Sequence, residues 1–104
     1  MIHASVMQLH QGCEAEYRAR HDALWPELQA HLKACGIFNY HIFLDPQTLQ
    51  LFASFETEGP LDEAALKAHP VMQRWWTYMA DIMETQSDSF EPKAQPLTEV
   101  FYLP

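Results

Sequence analysis

Tyr17 and His21 stand four residues apart in an apolar-periodic run, so on a helix they share a face and offer a phenol hydroxyl and an imidazole to one spot. Histidine titrates at about 6.5, which suits it to give or take a proton at neutral pH. Trp25 would add an aromatic wall beside the pair, and Arg18 and Arg20 lie on the other sides of the helix. Spacing alone favours the plainer explanation, two ordinary half-buried helix residues. Trp75 and Trp76 are adjacent and point about 100° apart on a helix, giving two overlapping apolar stripes. One helix of a small domain rarely needs so wide an aromatic arc for its core alone. Either one Trp packs in the core and the other in a subunit seam, or at least one forms a flat wall for the C–H face of a sugar, its N–H donating a hydrogen bond. Asn39 and Tyr40 can add polar contacts, although strand tyrosines usually serve packing.

Other chemistries find less support. Six histidines are present, but none forms an H-x-x-x-H or H-E-x-x-H pair, and neither Cys13 nor Cys35 has a cysteine at ligand spacing, so no metal site is expected. No glycine loop for phosphate, dinucleotide fingerprint or nucleophile elbow occurs. Most acidic residues read as a solvated surface. Glu56 and Glu99 differ, lying among apolar strand residues where a carboxylate can either accept from a ligand hydroxyl or keep a sheet edge soluble. A net charge of −8 argues against nucleic acid or an anionic membrane as partner. No apolar run reaches the roughly 18 residues of a membrane span, and the N-terminus lacks a signal-peptide pattern. Two cysteines at opposite ends of a helical run are expected to stay free thiols, which points to the cytoplasm.

The elements that must position these groups follow from punctuation and periodicity. Residues 2–9 read as a strand and residues 13–34 as a helical run with a core stripe at Leu24, Leu28 and Leu32. Pro26 must kink or break that run near residues 21–25 and restart it at its own first turn, and Gly36 closes it in the left-handed conformation. Residues 37–45 and 49–57 form a hairpin around Asp45, Pro46, Gln47 and Thr48. A short helix over 61–68 and a longer one over 71–83 follow, then a loop over 84–96 and a last strand over 97–104. The 104 residues make one domain, 1–104, with no repeat and no linker.

The order β-α-β-β-α-β is that of an α+β, ferredoxin-like fold, a four-stranded antiparallel sheet with helices on one face. Strict alternation puts Phe38, Tyr40, Ile42 and Leu44 on one face and Asn39, His41 and Phe43 on the other, so both faces carry large apolar groups. Helices cover only one, and a homodimer joined through its sheets is the expected partner for the other.

Tyr17-x-x-x-His21 followed by Leu24-Trp25-Pro26-Glu27-Leu28 resembles the L-rhamnose mutarotase family. So do Gly36 with Asn39-Tyr40, Arg74-Trp75-Trp76 with Tyr78-Met79, and the ending Glu99-Val100-Phe101-Tyr102-Leu103-Pro104. The resemblance runs the full length. It departs from the family pattern at Asp62 and Glu63, where the family carries a tryptophan, and in the loop at residues 86–90. It implies a ferredoxin-like fold of the dimeric α/β-barrel type, interconversion of the α and β anomers of L-rhamnose, and no metal or organic cofactor. It further implies His21 as the proton donor, delivering to the ring oxygen with help from Tyr17, and Tyr17, Tyr40, Trp75 and Trp76 as substrate contacts. The base remains open among a carboxylate, a second tyrosine and a water. The alternatives are a mutarotase for another deoxyhexose such as L-fucose, a cofactor-independent ferredoxin-like monooxygenase, or a non-catalytic sugar-binding or dimerisation module.

Overall fold

The computed structural model describes residues 1–104. Strand β1 (Ile2–Gln8) leads into α1 (Glu14–Asp22) and α2 (Pro26–Ala34). The hairpin strands β2 (Phe38–Leu44) and β3 (Gln50–Glu56) follow, then α3 (Glu63–Ala68), α4 (Pro70–Met79) and a short β4 (Gln95–Pro96). The sheet order is β2-β3-β1-β4, antiparallel throughout, which is the ferredoxin-like arrangement.

Pro26 acts as expected. Trp25 before it is extended (φ −63°, ψ 130°), because the proline ring disfavours the helical region for its predecessor, and Pro26 opens α2 at its first turn. At the far end Gly36 takes φ 82°, its N–H bonds Lys33 O at 2.9 Å and Ile37 N–H bonds Leu32 O at 3.1 Å, a Schellman closure. Asp62 and His69 cap α3 and α4 with side-chain acceptors to Ala65 N and Val71 N. The core lies between the sheet and the helices. Leu9 and Leu51 meet Leu28, Val71, Met72, Trp75 and Met79 there.

Three sequence expectations are corrected. Helix α4 ends at Met79, not at residue 83. Ile82 and Met83 keep the apolar stripe, but His10 N–H bonds Ile82 O and Glu84 N–H bonds Gln8 O, both at 2.9 Å, so the end of β1 draws the backbone out of the helix. The fourth strand is Gln95–Pro96, inside the expected loop, while residues 97–104 form no ladder and Val100, Phe101, Tyr102 and Leu103 are exposed. Beyond Ser5 opposite Pro96 and Val6 opposite Gln95, the contact with β1 continues only as the bond from Leu97 N–H to Ala4 O at 2.9 Å.

Alternation in β2 also fails at one point. The pairing slips between Phe38, opposite Glu56, and His41, opposite Ser54, so Asn39 and Tyr40 together face Phe55. Asn39 absorbs this bulge at φ 49°, a conformation asparagine tolerates better than most residues. Phe38 therefore joins His41 and Phe43 on the outer face, and Tyr40 joins Ile42 and Leu44 on the helix side. On that outer face Val6, Phe52 and Phe43 form one row across three strands, with Phe43 63% exposed.

Candidate active site

Between the helix side of the sheet and the helices lies a cavity of about 860 Å³, within the size range of small-molecule sites. Tyr17, His21, Tyr40, Trp75 and Trp76 all line it, so the five residues singled out in the sequence converge from α1, β2 and α4. Leu24, Leu28, Leu32, Ile42 and Leu66 supply apolar walls, and Glu14, Arg18 and Asp22 bring charge to its rim from around α1.

The i, i+4 spacing stacks the Tyr17 and His21 rings at 4.3 Å between centroids. His21 then meets the edge of Trp75 at 5.4 Å and 89°. Trp75 is held from behind, edge-on to Trp25 at 5.1 Å, and Trp25 in turn stacks on Tyr78 at 5.5 Å. Trp25 thus backs the site instead of walling it. Arg20 closes the assembly: its guanidinium bonds Asp81 at 2.9 Å, Glu16 at 3.0 Å and Tyr78 O at 2.7 Å, and lies over the Tyr78 ring. The hydrogen bond to Arg20 holds the Asp81 carboxyl below the usual carboxylate range. Through these contacts the end of α4 is tied to α1. Both tryptophans line the cavity, and Trp75 also belongs to the buried core.

His21 Nδ1 lies 3.0 Å from Tyr17 O. Burial lowers the imidazole's affinity for a proton, opposed by the bond to Tyr17 O and by Asp22. Tyr17 is 9% exposed and its phenol is pushed well above its ordinary range, by burial first and then by Tyr40. Tyr40 also lines the cavity, and burial raises its phenol too. The Tyr17 hydroxyl and the Trp75 N–H bond no protein group, yet no buried polar side-chain atom is orphaned. Both atoms therefore keep accessible surface, and the cavity they line provides it.

Two expected contributors lie elsewhere. Glu56 accepts from Asn39 Nδ2 at 2.7 Å, pairing the two with each other outside the cavity wall, and Glu99 is in the exposed terminal segment. The sequence reading missed Phe55, which stacks on Tyr40 at 5.1 Å and on His3 at 4.8 Å and lines the cavity. Alternation along β3 would have placed it with Leu51 and Ala53 on the helix side. No three His, Cys, Asp or Glu side chains gather where they could share a metal ion. No helix is long and apolar enough to cross a membrane.

A tyrosine and a histidine stacked within an aromatic cavity of a ferredoxin-like α+β fold have the chemistry of an enzyme that moves protons on a small, partly apolar molecule. The comparisons with known proteins are specific. Residues 3–103 match the family model described as L-rhamnose mutarotase, and the chain belongs to that family. It is 53% identical over 102 residues to an L-rhamnose mutarotase of Jannaschia sp. (strain CCS1), covering 98% of this chain and 97% of that protein. It is 54% identical over 97 residues to one from Sinorhizobium fredii (strain NBRC 101917 / NGR234), covering 93% and 92%. The crystal structure of an L-rhamnose mutarotase from Formosa agariphila superposes with a TM-score of 0.90 at 40% identity, over 100% of this chain and 99% of that one. These matches do not favour the monooxygenase reading.

Proposed function

We propose that this chain, as one domain over 1–104, interconverts the α and β anomers of L-rhamnose. The observation that carries the reading is the stacked Tyr17–His21 pair set against Trp75 in one cavity. Anomer exchange opens the ring, turns the aldehyde about C1–C2 and recloses it on the other carbonyl face. Opening moves one proton off the anomeric hydroxyl and one onto the ring oxygen. His21 is the catalytic residue, and Tyr17, Tyr40, Trp75 and Trp76 hold the sugar through hydroxyl and indole N–H contacts and aromatic faces. The apolar walls suit a deoxy sugar's methyl group. Free sugars mutarotate unaided, so one positioned acid–base pair is sufficient chemistry, and no cofactor is invoked.

The outer sheet face carries Phe38, Phe43 and Phe52 exposed together, and a homodimer joined there covers them. The working compartment on this reading is the cytoplasm. Saturation transfer between the anomeric protons of L-rhamnose tests the reaction. Wild type should give fast exchange and His21→Ala little; exchange with L-fucose alone would move the substrate, and silence with both sugars would overturn the proposal. Sedimentation should show a dimer that Phe43→Lys dissociates, and a wild-type monomer at micromolar concentration would refute the interface.

A further inference from the structure

We propose that His3 is a positioning residue for the sugar site: anchored by the buried Thr57 hydroxyl, it packs through Phe55 to fix the ring of Tyr40. This rests on the mutarotase reading, in which Tyr40 contacts the sugar.

Tyr40 needs support that its own strand does not give. The β2–β3 ladder pairs Phe38 with Glu56 and His41 with Ser54, and skips the two residues between. Regular pairing therefore does not set the direction of the Tyr40 side chain, and Asn39 before it stands at φ 49°. Tyr40 lines the cavity, is 44% exposed, and stacks on one ring, that of Phe55, at 5.1 Å and 26°.

Phe55 is in turn stacked on His3 at 4.8 Å and 16°. Strand β3 lies between β2 and β1, and Phe55 stands opposite His3 in the β1 register. Tyr40 and His3 thus flank Phe55 from its two sides, and the three rings make a column across three strands. Phe55 lines the cavity but has no free face on which a sugar could stack. His3 does not line the cavity, so its influence on a bound sugar passes through that column.

The far end of the column is pinned. Thr57 is the one polar residue buried in the chain, 3% exposed. Its hydroxyl lies 2.6 Å from Gly59 O and 2.9 Å from His3 Nε2. A carbonyl oxygen only accepts, so the single hydroxyl hydrogen goes to Gly59 and the Nε2–H of His3 donates to Thr57. That bond is the same for a neutral and a charged imidazole. Thr57 N–H bonds Met1 O at 2.8 Å, which ties the anchor to the start of β1. A histidine side chain turns about two bonds, and the stack together with the hydrogen bond settles both. A phenyl ring in its place would stack without being held in register.

Anomer exchange, measured by saturation transfer over a range of L-rhamnose concentrations, gives KM and kcat for each variant. His3→Ala should raise KM on the order of 3- to 10-fold, the effect of one lost aromatic pair, with kcat within about twofold. His3→Phe should recover most of that loss. Thr57→Val, which keeps every ring, should raise KM in the same direction, and Thr57→Ser should match wild type. The decisive reading is a double-mutant cycle: in a Tyr40→Ala background, His3→Ala should leave KM where Tyr40→Ala alone puts it. A histidine that serves stability alone would lower Tm and leave KM unchanged. Should His3→Ala not fold, the Thr57 pair reads the same coupling to Tyr40. A wild-type KM in His3→Ala or Thr57→Val, a loss in kcat instead, or the same KM rise with and without Tyr40 would each overturn the assignment. So would a Tyr40→Ala enzyme with wild-type KM, a result that leaves the mutarotase reading standing. A wild type silent with both L-rhamnose and L-fucose refutes that reading and the assignment with it.

Discussion

Leu28 and Met79 are each 1% exposed, yet only Leu28 also forms part of the cavity wall. Truncating either to alanine should therefore cost different amounts. Leu28→Ala removes three carbon groups at about 0.8 kcal/mol each, near 2.4 kcal/mol of lost burial. The space it opens joins a cavity that already exists, so little is added for a new void. Met79→Ala leaves an enclosed void, and at roughly 24 cal/mol per Å³ the total rises to about 4 kcal/mol. With about 2.1 cal/mol/K of unfolding entropy per residue over 104 residues, Tm should drop by about 11 °C for Leu28→Ala and about 18 °C for Met79→Ala. Calorimetry at one protein concentration keeps any self-association equal between samples. Anomer-exchange kinetics provide the second reading. Leu28→Ala widens the wall without touching the α1 groups, so KM should rise while kcat holds. Equal Tm losses for the two variants, or an unchanged KM in Leu28→Ala, would show that Leu28 is sealed from the cavity and refute the reasoning.

Two further perturbations test how the scaffold holds the site. At Gly36 a Cβ would meet nothing within 4 Å, so Gly36→Ala costs only the left-handed backbone at φ 82°, about 1 kcal/mol and about 5 °C in Tm; an unchanged Tm would mean that α2 ends without needing that conformation. Asp81 is held below its unfolded pKa by Arg20, so its contribution is present above the unfolded value of about 3.9 and is lost as pH falls through the lower folded value. Acid titration of Asp81→Asn followed by circular dichroism should show a shallower loss of stability in that window than wild type. Identical acid slopes would refute the link.

What the sequence made legible was local. Pro26 and Gly36 fix their own backbone angles and those of their neighbours, so the break between α1 and α2 and the closure of α2 fall where those residue types require. The i, i+4 spacing of Tyr17 and His21 needs only helix geometry to bring them together. The departures are set by partners distant in sequence. The apolar stripe continues past Met79, but the end of β1 competes for the backbone of Ile82 and Glu84 and wins. Residues 97–104 have strand composition, but their pairing with β1 stops once Leu97 has bonded Ala4 O. The Asn39 bulge depends on the register against β3, and it turns Phe38 away from the face that Tyr40 shares with Ile42 and Leu44. For Arg20 only the i, i+4 pairing with Glu16 was legible; its other partners, Tyr78 and Asp81, lie far along the chain.

The helix break does more than redirect the chain. Because Pro26 forces Trp25 into an extended conformation, α1 stops at Asp22 and His21 falls in its last turn. There the unpaired carbonyls make the helix end partially negative, which favours a cation by roughly 0.3–1 kcal/mol, and Asp22 adds to this. Burial opposes both and lowers the imidazole's affinity for a proton, with Nδ1 bonded to Tyr17 O. When a proton is held on His21, the dipole and Asp22 stabilise the charge that burial opposes. The Nδ1–H···O=C bond strengthens at the same moment, since its donor has become charged. A helix one turn longer would remove the favourable end, and a more open site would remove the burial that opposes the charge. The position of one proline therefore sets both halves of the balance on which His21 depends.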